Sequence, residues 1–223
     1  MKRLLDLCCG GGGASQGYRL AGFGSITGVD CEPQPEYPFE FIQADALTFP
    51  LDGFDFVHAS WPCWKWSAYR RRPALAGKDY PDLIAAGRER LEAWGGPYIL
   101  ENVPGAPLIS PVTYCGSSFG LDVRRHRLLE AGGGLTLTAP PCDHSWQAPR
   151  FPCATNRVNK RRTVEVGVYR IPLAIQQQAM GIGWLPLKKL SQAIPPAYTE
   201  HAGRQALAFL EERSRERMLG AAS

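Results

Sequence analysis

The chain has no long apolar run. No segment of its 223 residues approaches the roughly 20 consecutive apolar residues of a membrane-spanning helix, and the N-terminus, Met1-Lys-Arg-Leu-Leu-Asp6, becomes charged too soon for a signal peptide. The sequence also shows no internal repeat. An apolar share of 44% in a chain of this length is enough for one domain with a buried core. We therefore expect a cytosolic monomer that does not contact membranes.

Cysteine pairs with Cys-x-x-Cys spacing are absent. The 7 cysteines are odd in number and two of them are adjacent, which is typical of reduced thiols and not of a disulfide framework. Cys142, His144 and Cys153, with Cys115 as a further candidate, could be read as a zinc site. Their irregular spacing favours unliganded thiols instead, so no metal ligand is predicted.

The chain also has little excess of one sign of charge, because the net charge is only +4. The basic residues are nevertheless clustered, at residues 70–72, 124–127 and 160–162. Such clusters are typical of solvated surfaces and of nucleic-acid contacts. Both interpretations stay open at this point.

Short apolar runs alternate with helical patterns over most of the chain. Predicted strands cover residues 4–8, 25–30, 39–45, 54–59 and 98–103, and predicted helices cover residues 14–21, 80–94, 171–180 and 199–217, the last with Thr199 as N-cap. This alternation predicts a Rossmann-like α/β fold with a mostly parallel, doubly wound sheet. We expect a core over 1–131, an irregular insertion over 132–168, and a C-terminal part over 169–223 that returns to the core.

Polar or reactive residues follow four of the predicted strands. A glycine run, Gly10 to Gly13, comes after the first strand, Asp30 ends the second, and Cys63 follows the fourth. The glycine run lacks the Lys-Ser/Thr of a phosphate loop, but it allows close approach of the backbone to a ligand at a helix N-terminus. Carboxyl ends of parallel strands share one edge of the sheet, so a thiol is expected to face a ligand-binding loop.

In chain order these motifs resemble those of the DNA cytosine-5 methyltransferases. Residues 6–13 are similar to the family's glycine-rich first motif, Pro62-Cys63 to its Pro-Cys motif and Glu101-Asn102-Val103 to its Glu-Asn-Val motif. Arg125-His126-Arg127 matches the later Arg-x-Arg motif. Residues 192–196, Gln-Ala-Ile-Pro-Pro, are similar to the last motif, which normally begins with Asn. The resemblance covers nearly the whole chain.

The resemblance implies a role for each matching residue. Cys63 would add to C6 of cytosine, Glu101 would donate a proton at N3, and Arg127 would hold O2, with Arg125 beside it. Cofactor contacts would come from Asp6, Leu7, Cys8, Gly10, Gly12, Gly13, Asp30, Cys31, Asp45, Ala46, Pro62, Gln192 and Ala193. Substrate or DNA contacts are predicted for Lys65, Ser67, Asn102, Arg157, Lys160, Arg161 and Arg162. Trp61, Trp64, Trp66 and Arg70 to Arg72 are further candidates, for which loop packing or a solvated face is the alternative.

The implied reaction is methyl transfer from S-adenosylmethionine to C5 of a flipped-out cytosine in DNA, as in compact phage or bacterial enzymes, including those of restriction-modification systems. Another acceptor, RNA or a free cytosine nucleotide, is a second hypothesis. Lys65 and the larger Gln192 leave open a carboxylated form of the donor. A DNA-binding protein without catalysis is a third hypothesis, against which the joint presence of Cys63, Glu101 and Arg127 argues.

Overall fold

A computed structural model describes residues 1–67, 82–148 and 161–220 of the chain. In these ranges the strands are β1 Arg3–Leu7, β2 Ser25–Asp30, β3 Glu40–Gln43, β4 Phe56–Ala59, β5 Tyr98–Asn102, β6 Val112–Tyr114, β7 Arg127–Gly132, β8 Gln147–Ala148 and β9 Arg161–Arg162. The helices are α1 Gly13–Ala21, α2 Ile84–Trp94, α3 Leu173–Met180, α4 Leu187–Leu190 and α5 Pro196–Gly220, with a short 3₁₀ helix over Gly116–Phe119.

Seven strands form one mixed sheet in the order β3-β2-β1-β4-β5-β7-β6. The first five are parallel, while β7 runs antiparallel between β5 and β6. The order 3-2-1-4-5 is that of a doubly wound sheet, in which the strand order reverses between β1 and β4. The expected α/β fold with a mostly parallel sheet is therefore present, and its switch point lies where the glycine run and the Cys63 loop begin.

Both faces of the sheet are covered, because successive residues of a strand point to opposite sides. Leu4 of β1 and Phe56 of β4 pack in a core with residues of α1 and α5. Their neighbours Leu5 and Val57 pack in a second core that includes Leu91 of α2. Apolar runs without alternation are typical of strands buried on both sides.

The C-terminal part returns to the core, where α5 packs along α1. The predicted N-cap Thr199 is wrong, since α5 begins at Pro196 and Thr199 lies inside its first turn. Proline suits a first helical turn, where its missing N–H costs no hydrogen bond. The Thr199 hydroxyl donates instead to the carbonyl oxygen of Ala14 in α1, at 2.8 Å.

Strands β6 and β7 were not predicted. The latter, Arg127-Leu-Leu-Glu-Ala-Gly, is rich in residues that favour helices, and it is a strand because it pairs with β5 on one side and β6 on the other. Within the expected insertion, Leu135 and Leu137 are buried in the main core, and β8 and β9 form a small parallel pair. None of the helices within the described ranges is both long and apolar enough to span a membrane.

Candidate active site

The glycine loop after β1 is held from the second strand. Cys8 and Gly10 both adopt positive φ angles, 56° and 50°, which turn the chain sharply at the end of β1. The N–H of Gly10 donates to Asp30 Oδ2 at 3.0 Å, and the other Asp30 oxygen accepts from the N–H of Glu32 at 3.0 Å. A carboxylate has further lone pairs, so Asp30 can hold the loop and still accept from a ribose hydroxyl.

Most glycines of this loop are required by the protein's own packing. A side chain at Gly11 would collide with Leu185, and one at Gly13 would collide with the carbonyl oxygen of Ile194. Trp184 Nε1 donates to the carbonyl oxygen of Gly11 at 2.9 Å. Only Gly10 in this run has open space where a side chain would be. Gly10 therefore leaves room for a ligand on its side-chain side, and the predicted cofactor contacts of Gly12 and Gly13 stay predictions.

Asp6 is fully buried beneath the loop. Its Oδ2 accepts a short hydrogen bond from Ser15, whose hydroxyl also contacts the Tyr37 hydroxyl at 2.6 Å. Its Oδ1 has no hydrogen-bond partner. Burial, assisted by the negative charges of Asp30 and Glu101, raises the pKa of Asp6 from 3.8 to about 7. Asp6 thus lies within electrostatic reach of both the cofactor loop and the predicted catalytic acid.

The remaining predicted cofactor residues lie around the same edge. Helix α1 has no side-chain N-cap hydrogen bond, so its N-terminus is a candidate site for an anion. Ala193 lies against Gly13, whereas the side chain of Gln192 is exposed. Asp45 is exposed and its Oδ1 accepts from the N–H of Leu47 at 2.8 Å. The rest differ in accessibility: Cys31 and Pro62 are exposed, and Leu7 and Ala46 are buried.

These features fit S-adenosylmethionine, which carries a carboxylate, an ammonium group, ribose hydroxyls and an adenine ring. The uncapped helix N-terminus suits the carboxylate. Asp30 suits the ribose, and the unpartnered oxygen of Asp6 is a buried acceptor. The donor and acceptor types present therefore match the cofactor that the sequence suggests.

The loop that carries Cys63 is fixed on both sides. Asn102, at the end of β5, donates to the carbonyl oxygen of Trp61 at 2.9 Å. Beyond the cysteine the chain turns, with the N–H groups of Trp66 and Ser67 donating to the Cys63 carbonyl oxygen at 2.9 and 2.8 Å. Asn102 and Ser67 thus lie at the nucleophile loop, where both shape the backbone.

A chain of hydrogen-bonding side chains lies below this loop, and the sequence did not predict it. Tyr18 contacts His58 Nδ1 at 2.8 Å, and His58 Nε2 contacts Ser60 Oγ at 3.0 Å. Burial lowers the pKa of His58 from 6.5 to about 3, so the ring is neutral. A histidine within an apolar strand was the available signal, but its partner Tyr18 is distant in the sequence.

Three of the predicted catalytic residues lie within electrostatic reach of the Cys63 thiol. Burial and the negative charge of Glu101 raise the pKa of Cys63, while Arg127 and Arg125 act in the opposite direction. Glu101 Oε1 lies 2.9 Å from Arg127 Nε. That N–H does not point at the oxygen, which has no aligned hydrogen bond. The pair is therefore an ion pair with an acceptor left over for a ligand.

Arg125 is half-buried near this pair. One of its terminal nitrogens donates to the carbonyl oxygen of Ser191 at 2.6 Å, and Tyr198 donates to the carbonyl oxygen of Arg125 at 2.5 Å. Its Nε has no partner. Burial and the charge of Arg127 lower the pKa of Arg125 to about 9, so the side chain stays cationic at neutral pH.

Lys65, Trp61 and Trp64, all near Cys63 in the sequence, differ in their contacts and exposure. The Lys65 ammonium lies 3.9 Å from Asp82 Oδ2 and over the ring of Trp66 at 5.4 Å, so nothing in its contacts favours a carboxylated donor. Trp61 is buried in the core against Gly87, which assigns it to packing, whereas Trp64 is 55% exposed. Residues 70–72, Arg157 and Lys160 lie outside the described residues, and only the backbone of Arg161 and Arg162 is described.

No protein-family model and no curated protein matches the chain. One solved structure with similarity to it is that of a candidate DNA modification methyltransferase encoded within a prophage of Escherichia coli. The two are 15% identical with a TM-score of 0.45, and the match covers 63% of this chain and 51% of the other. The chain thus spans about half the length of that structure. The function proposed below therefore rests on the site of the chain itself.

Proposed function

We propose that the protein transfers a methyl group from S-adenosylmethionine to C5 of cytosine in DNA through a covalent adduct with Cys63. The observation that carries this proposal is the grouping of Cys63, Glu101, Arg125 and Arg127 at the carboxyl ends of β4 and β5 and the start of β7. This group lies beside the glycine loop, at the switch point where doubly wound folds bind their ligands. A thiol, an acid with a free acceptor and two guanidinium groups match the needs of addition to a cytosine ring.

Each residue has one task in the proposed reaction. The Cys63 thiolate forms a bond to C6, and Glu101, protonated when cytosine is bound, donates its proton to N3, which takes up the electron density pushed into the ring. Arg127 binds O2. When bound, S-adenosylmethionine supplies a methyl group on a sulfonium, and C5 takes that methyl. Water then takes the C5 proton, the electron pair of that C–H bond re-forms the C5=C6 bond and expels the Cys63 thiolate from C6, and the proton on N3 returns to Glu101.

The Cys63 thiol requires help to ionise. Its raised pKa leaves it protonated at neutral pH in the free protein, and a thiol is not the attacking species. The charge of Arg127 favours the thiolate, and a base that engages Glu101 would remove part of the opposing negative charge. Substrate binding is therefore expected to activate the nucleophile.

DNA as the acceptor is supported by the basic segments of the sequence. C5 of cytosine is inaccessible in a duplex, so flipping would cost roughly a few kcal/mol. The clusters at residues 70–72 and 157–162 could offset that cost through phosphate contacts. A free cytosine nucleotide would have no use for them.

The test is incubation of the full chain with S-adenosylmethionine carrying a labelled methyl group and, separately, duplex DNA, single-stranded DNA, RNA and CTP. Mass analysis of the nucleosides is expected to find labelled 5-methyldeoxycytidine from DNA. Labelled 5-methylcytidine from RNA or CTP alone would show that the acceptor is RNA or the free nucleotide and not DNA. DNA binding without transfer to any acceptor would favour the non-catalytic hypothesis.

A further inference from the structure

Four potential metal ligands meet behind the arginine pair. Cys115 follows β6, His126 precedes β7, and Cys142 and His144 lie in the segment after β7. Their ligand atoms all lie within 4.8 Å of one another. His144 Nε2 is 3.2 Å from both sulfur atoms, and His126 Nε2 is 3.3 Å from Cys142 Sγ.

We propose that Cys115, His126, Cys142 and His144 bind one structural zinc ion. Zinc prefers four tetrahedral ligands from thiolates and imidazoles, at about 2.3 Å for sulfur and about 2.0–2.1 Å for nitrogen. Those lengths place neighbouring ligand atoms roughly 3.3–3.8 Å apart. The three contacts above lie close to this range. Four protein ligands close the coordination sphere, so the ion would be structural and not catalytic.

Hydrogen bonds alone satisfy this cluster poorly. A single nitrogen, His144 Nε2, lies at contact distance from two sulfur atoms, although it can donate to or accept from only one thiol at a time. A shared cation resolves that conflict. Ser117 Oγ lies 3.2 Å from Cys115 Sγ and 3.7 Å from Cys142 Sγ, where a hydroxyl supports thiolate ligands as an outer hydrogen-bond donor.

The site has a consequence for the arginine pair, which rests on the proposed function. His126 lies directly between Arg125 and Arg127 in the sequence. A zinc ion on its ring would join that segment to the end of β6 and to the chain after β7. The ion would thus position the guanidinium groups that face Cys63 without touching the substrate.

The test measures metal in the full-length protein, grown with zinc and freed of loosely bound ions by gel filtration. We expect one zinc ion per chain, and after exchange with cobalt we expect the visible absorption of tetrahedral Co²⁺ with thiolate ligands. Cys142→Ala and His144→Ala should lose the ion. Cys31→Ala and Cys153→Ala, which remove thiols outside the set of four, should retain it.

Wild-type protein without stoichiometric zinc, or Cys142→Ala with unchanged zinc, would overturn the proposal. So would a Cys115–Cys142 disulfide found by mass analysis in place of the metal. A positioning role predicts in addition that Cys142→Ala slows attack by Cys63 but leaves cofactor affinity unchanged. Zinc without methyl transfer would contradict the proposed function alone, and transfer without zinc would contradict the metal site alone.

Discussion

At the scale of single residues, the account depends on opposing charges around one thiol. Glu101 raises the pKa of Cys63 and Arg127 lowers it, yet both are needed for the proposed chemistry. The same glutamate therefore hinders ionisation in the free protein and assists addition once cytosine is bound. A purely structural role of Glu101 would not predict these two opposite effects. Measuring both effects therefore distinguishes a catalytic role from a structural one.

Glu101→Gln is expected to change two rates in opposite directions. Methyl transfer should fall about 100-fold or more, the usual scale for a positioned acid. Alkylation of Cys63 by iodoacetamide at pH 7.5 should become faster, because loss of the negative charge lowers the thiol's pKa. Peptide mapping by mass distinguishes Cys63 from the other cysteines. Glu200→Gln, on the outer part of α5, is the control and should change neither rate. Near-normal methyl transfer by Glu101→Gln would mean that another residue is the acid.

Asp6 makes the stability of the protein depend on pH. Its folded-state pKa of about 7 exceeds the ordinary 3.8, so the folded state binds the proton more tightly. The resulting stabilisation is complete below about pH 4 and is lost as pH rises through 7, with an upper limit of about 4 kcal/mol. His58 has the opposite sign, because its folded pKa is lowered to about 3.

Asp6→Asn isolates the contribution of this carboxyl, since His58 and all other groups are common to both proteins. The free energy of unfolding of the variant relative to wild type should increase between pH 5 and pH 8. Urea denaturation at several pH values measures it. The exposed Asp52→Asn serves as the control and should show no such trend. A pH-independent difference between Asp6→Asn and wild type would contradict the raised pKa.

At the scale of the elements, the contact between α1 and α5 holds the C-terminal motif against the glycine loop. Gly17 of α1 faces α5 so closely that an added methyl group would overlap Thr199 Oγ1 and the carbonyl oxygen of Pro196. The packing of α1 against α5 thereby fixes the position of α1 and of the glycine loop that precedes it.

Gly17→Ala should destabilise the protein by about 1–3 kcal/mol, as expected for overpacking, although alanine favours helices over glycine by about 1 kcal/mol. Gly183→Ala is the matched control, because nothing lies within 4 Å of its added methyl group and its φ angle is not positive. Thermal and urea denaturation compare the two. Equal stability of both variants would mean that the helices separate at little cost.

The sequence predicted the elements whose patterns are local. Strands β1 to β5 and helices α1 to α3 were found, with bounds shifted by a few residues, because apolar runs and glycine stops are visible in short windows. Strand β7 was not found, since pairing with β5 and β6 overrides the helix preference of Leu128, Leu129, Glu130 and Ala131. The start of α5 was misplaced because the Thr199 hydroxyl finds its partner in α1.

At the scale of the whole molecule, the fold brings together residues whose spacing in the sequence carries no signal. The order of the motifs predicts Cys63, Glu101 and Arg127 as one site, and in the structure the charges of Glu101 and Arg127 act on the Cys63 thiol. That order was not sufficient for the cluster of Cys115, His126, Cys142 and His144, in which His126 had been noticed only as the middle of the Arg-x-Arg motif. Only the tertiary structure shows that the ring of this histidine contacts Cys142.

The central claim is covalent attack by Cys63 on C6 of cytosine. Duplex DNA that contains 5-fluorocytosine tests it most directly, because after methyl transfer the fluorine at C5 cannot leave as a proton does and the adduct persists. The account predicts a DNA–protein adduct that forms only with S-adenosylmethionine, maps to the Cys63 peptide by mass, and is absent in Cys63→Ala. Transfer by Cys63→Ala at the wild-type rate, or an adduct on another cysteine, would contradict it.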